Sequence, residues 1–377
     1  MNLKKYRQII ILLVALVAAY YIANWREVVY LLPGSDYVTR TQAEKKIDEV
    51  LGYVDRYYVD SVDWQKSARG AIDGLLKTLD PHSVYFSLEE VKQNEENFSG
   101  KYQGIGIQFD ILDGYITVIA VIPGSPSERV GLQAGDQIVK INGENAKGLT
   151  TSQVPKKLKG RPGTEVTVTI KRPGVKKTFD VTIVRDEIPI FTVNTHFMLD
   201  DSTGYVWLNR FASTTADELE DALRDLEDKG LRRLILDLRD NGGGFLRQAV
   251  QVTAKFIAGH RKVVSTRGRL ARFDEDFYTD DFGMTRARNY PLILLIDHGT
   301  ASAAEIVAGA IQDYDRGLIV GTNSFGKGLV QNEFELDDGS RVRLTVSKYY
   351  TPSGRLIQRP FKGKSISDYY KQAFEDT

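Results

Sequence analysis

Two apolar runs, RRLILDLR at 232–239 and PLILLIDH at 291–298, constrain this chain more than any other feature. Each is too continuous for a strand with one wet face, so both faces are expected to be covered by helices, which requires a largely parallel or mixed sheet. The flanking sequence supplies the partners. TGYVWLNR at 203–210 and GLIVGT at 317–322 read as further strands, and helical periodicity occupies 215–229, 245–257 and 303–311. The expected fold class past residue 200 is therefore α/β.

The rhythm before residue 200 is different. YQGIGIQF at 102–109, YITVIAVI at 115–122 and the glycine-rich stretch 131–144 suggest short strands and tight turns, and 165–172 with 176–187 reads as a hairpin around Pro173–Gly174. One compact β-rich domain is expected at 99–184. Residues 41–98 are mostly helical in pattern. Thr41 is expected to cap a helix over 42–51, with Glu44 completing a capping box, and a second helix spans 64–78 before Pro81 ends it.

At the start of the chain, Lys4, Lys5 and Arg7 precede the apolar stretch Ile9 to Ala23, with Trp25 at its far edge. This predicts a single N-terminal membrane anchor with its short end in the cytoplasm and the remainder outside. Tyr21 before Ala23 makes a poor signal-peptidase site, so the segment is expected to stay attached. Composition narrows the chemistry. The 50 Lys plus Arg balance 50 Asp plus Glu, so no global field recruits nucleic acid. With no Cys and four His, thiolate nucleophiles and Cys-based metal sites are excluded and a metalloenzyme is disfavoured. Reactive groups must be oxygen or amine nucleophiles; no cofactor or metal is expected.

Three polar turns fall at strand ends, where open α/β sheets build their sites. DNGGG at 240–244 allows close backbone approach, and GTASAAE at 299–305 puts Ser302 at a strand-to-helix transition where first-turn N–H groups are available to an anion. GTNSFGKG at 321–328 looks like a phosphate-binding loop but has Gly328 where that motif needs Ser or Thr, so nucleotide binding is not expected. Alone, Lys327 reads as a surface charge, Ser302 as a helix cap and Glu305 as a first-turn carboxylate favoured by the helix dipole.

Taken together these segments resemble the C-terminal processing peptidases, or tail-specific proteases, of the Ser-Lys type. The resemblance runs through LLKTLDPHSVYFSLEE (75–90), YQGIGIQF, IPGSPSERVGLQAGDQIVKING, LDLRDNGGGFL (236–246), GTASAAEIVAGAIQD (299–313), VGTNSFGKGLVQ (320–331) and KYYTPSGRLIQ (348–358), in family order. It implies a crotonase/ClpP-like protease core with an inserted PDZ domain of the circularly permuted type. The organisation is then an anchor at 1–25, a helical region at 26–98, the PDZ domain at 99–184, and the protease core with a C-terminal helical segment at 185–377.

The resemblance further implies Ser302 as nucleophile, Lys327 as general base and Gln331 as the residue orienting the lysine. The backbone N–H groups of Ala303 and Gly243 are the implied oxyanion donors, and Gly104, Ile105, Gly106 and Ile107 the loop that receives a substrate's terminal carboxylate. Thr300, Ala304 and Gly242 depart from common family residues without removing a reactive group. Implied partners are proteins with exposed C-terminal tails, a second copy of the chain through 40–80 or 364–374, and the cell membrane. The PDZ domain is expected to gate the protease, with Lys159 or Arg161 in the coupling. Two alternatives stand beside this reading: a Ser-His-Asp triad around His298, and a membrane-anchored PDZ binding protein with an inactive protease fold.

The residue types suit the chemistry. A serine hydroxyl needs a base at about 2.6–3.2 Å. Lysine, with an ordinary pKa of about 10.4, serves only if desolvation lowers it towards about 7–8. A neutral amide such as Gln331 holds the amine without the opposing charge that would favour ammonium.

Overall fold

The structure is a computed structural model, which describes residues 38–283, 286–361 and 365–375. The expected anchor at 1–25 lies outside the described residues, and no helix among those described is long and apolar enough to cross a membrane. The chain divides into two units, Met1–Ile72 and Asp73–Thr377.

The first described helix, α1 (Arg40–Tyr57), starts two residues before the expected one. Its cap is Thr39, whose hydroxyl accepts from the Gln42 N–H at 3.3 Å while the Gln42 carboxamide accepts from the Thr39 N–H at 2.9 Å. Two overlapping capping boxes exist in the sequence and the glutamine one wins, which frees Glu44 to pair with Arg40 at 2.7 Å. Helix α2 (Trp64–Lys77) follows as expected.

In the second unit, strand β1 (Val84–Phe86), helix α3 (Leu88–Ser99) and strand β2 (Lys101–Gly104) lead into the β-rich domain. That domain contains β3 (Ile107–Leu112), β4 (Tyr115–Val121), a short helix α4 (Pro126–Arg129), β5 (Gln137–Ile141), β6 (Glu144–Asn145), helix α5 (Gln153–Leu158), β7 (Glu165–Lys171) and β8 (Phe179–Val184). The sheet order is β3-β4-β5-β7-β8, so β3 lies at an edge. Ile116, Val118, Ile138, Val154, Val168, Ile170 and Ile183 form its sealed core. Strand β9 (Asp186–Pro189) leaves the domain antiparallel to β2, which brings entry and exit together as an inserted domain requires.

The α/β core opens with β10 (Val193–Met198), β11 (Thr203–Leu208), helix α6 (Thr215–Asp228), β12 (Arg233–Asp237) and helix α7 (Leu246–Ala254). After β13 (Lys262–Gly268) and β14 (Glu275–Tyr278) come β15 (Leu292–Ile296), helix α8 (Ala303–Asp313) and β16 (Leu318–Gly321). The sheet β10-β11-β12-β15-β16 is parallel except at its first pair, the mixed sheet the apolar runs predicted. Leu234, Leu236 and Leu294 pack with Leu219 and Leu223 of α6, Val250 of α7 and Val307 of α8. Each such side chain contributes about 1.5–3 kcal/mol when fully buried. Helix α8 is buried continuously from Ala303 to Ile311, which explains its small and apolar residues and makes Glu305 conspicuous.

A second sheet, for which the sequence reading names no strands, holds β17 (Leu329–Glu335) and β18 (Arg341–Tyr350). Strand β18 pairs with β17 along one edge and with β1 and then β13 along the other. Arg341, Arg343 and Glu333 interrupt its hydrophobic alternation, and those charges neutralise one another across the ladder at 2.7–3.3 Å. The last element is α9 (Ile366–Glu375).

Candidate active site

The turns after the neighbouring parallel strands β12 and β15 are laced into one framework. Asp297 Oδ1 accepts from the N–H groups of Asp240 (2.9 Å), Gly299 (2.9 Å) and Thr300 (3.1 Å), and the Thr300 hydroxyl donates to the Leu238 carbonyl at 2.8 Å. The fully buried Asn241 donates from Nδ2 to the Leu208 carbonyl at 2.7 Å and receives the Ala301 N–H on its own carbonyl at 2.9 Å. Held this way, Ser302 adopts φ 56° with ψ −115°, a strained positive-φ conformation that costs a non-glycine residue about 1–3 kcal/mol and places the residue at the start of α8.

Glu305, one turn into α8 and 2% exposed, ties that turn to the next one. Its carboxylate accepts from the N–H groups of Ser302 (2.7 Å), Gly326 (2.7 Å) and Lys327 (2.9 Å) and from the Ser324 hydroxyl (2.7 Å). The loop that looked like a phosphate cradle thus cradles a carboxylate of its own chain. Burial pushes the Glu305 carboxyl above its ordinary range, and these four donors work in the opposite sense. The buried Tyr349 hydroxyl adds a second tie, donating to the carbonyls of Ser302 (3.0 Å) and Lys327.

Lys327 is drawn below the ordinary lysine range, first by burial and then by the Arg343 guanidinium; Glu305 and Asp80 oppose the shift. Gln331 donates from Nε2 to the His82 carbonyl at 2.5 Å, which leaves its carboxamide oxygen to accept. His82 itself is lowered to about 4 by burial and by Lys327, so it is neutral near pH 7.

Ser302, Lys327, Gln331, Gly243 and Ala303 all line one cavity of about 840 Å³. Phe245, Leu246, Ile306 and Leu329 give it an apolar wall, and Asn94, Glu95 and Phe98 of α3 contribute to its rim. Among the described residues, no hydrogen bond joins Ser302 Oγ to Lys327 Nζ; catalytic contacts of this kind often tighten only around substrate. Gly243 lies against the serine: a Cβ there would be 2.7 Å from Ser302 Cβ and 2.8 Å from the Ala303 nitrogen. Its N–H, however, is donated to Asn241 Oδ1 at 2.9 Å, so this implied oxyanion donor is engaged within its own turn. His298 is not among the residues lining the cavity.

Gly104, Ile105, Gly106 and Ile107 lie elsewhere, between β2 and the edge strand β3. The Gly106 carbonyl accepts from the Ile122 N–H at 3.0 Å and the Ser125 hydroxyl at 3.1 Å. Gly106 has φ 83°, and a Cβ there would sit 2.2 Å from Ser125 Cβ. Helix α3 reaches both regions, because Glu89 pairs with Lys156 at 2.8 Å and Glu96 with Lys159 on the β-rich domain, while Glu95 pairs with Arg341 at 2.7 Å.

Sequence reasoning set Glu305 aside as a dipole partner and passed over Tyr349, Asn241 and Arg343. For Glu305 a signal existed: it is a carboxylate inside an otherwise apolar helix, and such a group must find donors.

Comparison with known proteins agrees with this architecture. A family model described as Peptidase family S41 matches residues 202–363, and one described as PDZ domain matches 103–183. A carboxy-terminal-processing protease of Bartonella bacilliformis is 39% identical over 323 residues, covering 83% of this chain and 72% of its own length. Carboxy-terminal processing protease CtpB of Bacillus subtilis is 35% identical over 323 residues, covering 85% and 66% respectively. Among solved structures, a photosystem II D1 C-terminal processing protease is 29% identical over 84% of each chain, with a TM-score of 0.46.

Proposed function

Because this chain belongs to the carboxy-terminal processing proteases of peptidase family S41, serine proteases with a PDZ domain, we propose that it cleaves proteins near their C-terminal tails through Ser302, Lys327 and Gln331. One observation carries the proposal: a lysine whose amine is biased towards neutrality by burial lines the same cavity as a serine held at the start of a buried helix. Neutral Lys327 takes the Ser302 proton as the hydroxyl oxygen attacks the scissile carbonyl. The resulting ammonium then protonates the leaving amine, and water releases the acyl group by the reverse exchange. Gln331 accepts from the amine through its carboxamide oxygen. The Ala303 N–H faces the developing oxyanion, where one fixed donor contributes about 3–4 kcal/mol. The Gly243 N–H serves as second donor when Asn241 Oδ1 releases it.

In the same proposal, a substrate's terminal carboxylate is received by the backbone at Gly104–Ile107 and its last residues add to the open edge of β3. The ion pairs from Lys156 and Lys159 to α3 are the route by which an occupied PDZ domain reaches the cleft. Cleavage of an unfolded protein with an apolar C-terminal tail, compared with the same protein carrying an amidated or charged tail, tests the proposal. The free apolar tail is expected to raise kcat/KM at least about tenfold. Gly106→Val, which forces a Cβ into Ser125 at positive φ, is expected to erase that advantage while leaving the slower cleavage of the control substrate intact. Equal rates on all tails with the wild-type protein would dismiss tail recognition.

Membrane attachment, an extracytoplasmic protease and self-association complete the proposal. The basic-then-apolar segment before Trp25 supports the first two, and the exposed Ile47, Val50, Leu51 and Tyr57 of α1 support the third. The full chain is expected to stay with membranes through a high-salt wash, to sediment as a dimer in detergent, and to be digested by protease added outside intact cells. Release by salt, a monomer, or protection in intact cells would each remove the corresponding part.

A further inference from the structure

Strands β17 and β18 set Thr345 directly opposite Gln331, immediately beyond a bulge between Val330 and Gln331. Residues opposed in this way project from the same face, with Cβ atoms about 4.5–5.5 Å apart. Thr345 Oγ1 is sealed from solvent and has no hydrogen-bond partner among the described residues. Buried hydroxyls are nearly always paired, so an orphan beside a candidate active site calls for a reason. Its neighbours include groups that act on the Lys327 amine. The Thr345 N–H donates to Ser83 Oγ at 3.2 Å, and that hydroxyl donates to Asp80 at 2.7 Å. Arg343 lies two residues earlier on the same face of β18, and the His82 carbonyl holds Gln331. The charged and titratable groups acting on Lys327 are Asp80, Arg343 and Glu305, and His82 in turn responds to Lys327.

We infer that Thr345 is a positioning residue of the Ser302–Lys327 pair, its hydroxyl oxygen supplying the acceptor that the Lys327 ammonium lacks once it has taken the serine proton. An ammonium has three N–H groups. In the proposed mechanism one faces the Ser302 oxygen and one meets the Gln331 carboxamide oxygen, whose nitrogen is already committed to His82. The third needs an acceptor, and Thr345 Oγ1, opposite Gln331, is unfilled. The inference rests on the reading of Lys327 as base.

The test uses the full chain and a peptide substrate, with Thr345→Val, which keeps the shape and removes the hydroxyl, and Thr345→Ser, which keeps the hydroxyl. Thr345→Val is expected to lower kcat about 10- to 100-fold, as loss of a hydrogen bond to a charged group does, with KM within about twofold. Its acid limb of kcat/KM should move to lower pH, because removing an acceptor penalises ammonium more than amine. Thr345→Ser should stay within about threefold of the wild type with its limb in place. Equal losses in both variants, an unmoved limb, or a Thr345→Val enzyme with wild-type kcat would each overturn the inference. If Thr345→Val lacks a cooperative thermal transition, Thr345→Ala takes its place against the same serine variant. Ser302→Ala run in parallel separates the two failures: turnover in that variant defeats the dyad, whereas its silence beside an unaffected Thr345→Val defeats only the role of Thr345.

Discussion

Replacing Ser302 with Ala is expected to reduce peptide cleavage by roughly ten-thousandfold or more while the thermal midpoint moves by no more than a few degrees. The asymmetry follows from where the side chain points. The strained backbone at Ser302 is held by the Glu305 carboxylate, the Tyr349 hydroxyl and the Asn241 framework, all of which grip main-chain atoms at or beside it that alanine retains. Lys327→Ala should be equally silent, since among the described residues no other lysine lines the cavity. In the wild type, activity requires neutral Lys327. Burial and Arg343 lower its affinity for a proton, so kcat/KM should rise with pH and reach its plateau below the pH at which an ordinary lysine, near 10.5, would deprotonate. A rate still climbing steeply above pH 10.5, or turnover by either alanine variant, would end the dyad assignment.

The second large effect is expected from Glu305→Ala. Four donors contributed by Ser302, Ser324, Gly326 and Lys327 would lose one buried carboxylate, and each buried polar group left unpaired costs about 1–3 kcal/mol. Water entering the gap restores part of this, so a net loss of about 3–5 kcal/mol in urea unfolding is expected. Catalysis should fall about 100- to 1,000-fold, in kcat rather than KM, because the serine turn and the lysine loop lose their common anchor while the apolar wall remains. Glu305→Gln should fall between: one oxygen still accepts, but its NH2 now meets two of the donors. A Glu305→Ala enzyme with normal kcat would show that the two loops are aligned by Tyr349 and the sheet alone.

These expectations depend differently on what could be read before folding. Continuous apolar runs identified the covered strands β12 and β15 because burial on both faces leaves no place for polar alternation. The 165–187 hairpin was equally legible. The α1 cap was misplaced by two residues because Thr39-x-x-Gln42 and Thr41-x-x-Glu44 satisfy the same local rule. Strands β17 and β18 were not read at all, since their charges are tolerated only through cross-strand pairing of Glu333 with Arg341 and Arg343.

By itself the sequence determined which residue types are available for reaction, which segments form covered strands and buried helix, and the family whose motifs bring Ser302, Lys327 and Gln331 into one order. Tertiary structure alone decided that the Lys327 loop closes on Glu305, that Asn241 engages the Gly243 N–H, and that Thr345 faces Gln331. The reason is the range of the forces. Hydrophobic periodicity and capping act within a few residues, so they are written along the chain, whereas the partner of a buried donor or acceptor is whichever group chain closure delivers from far away in sequence.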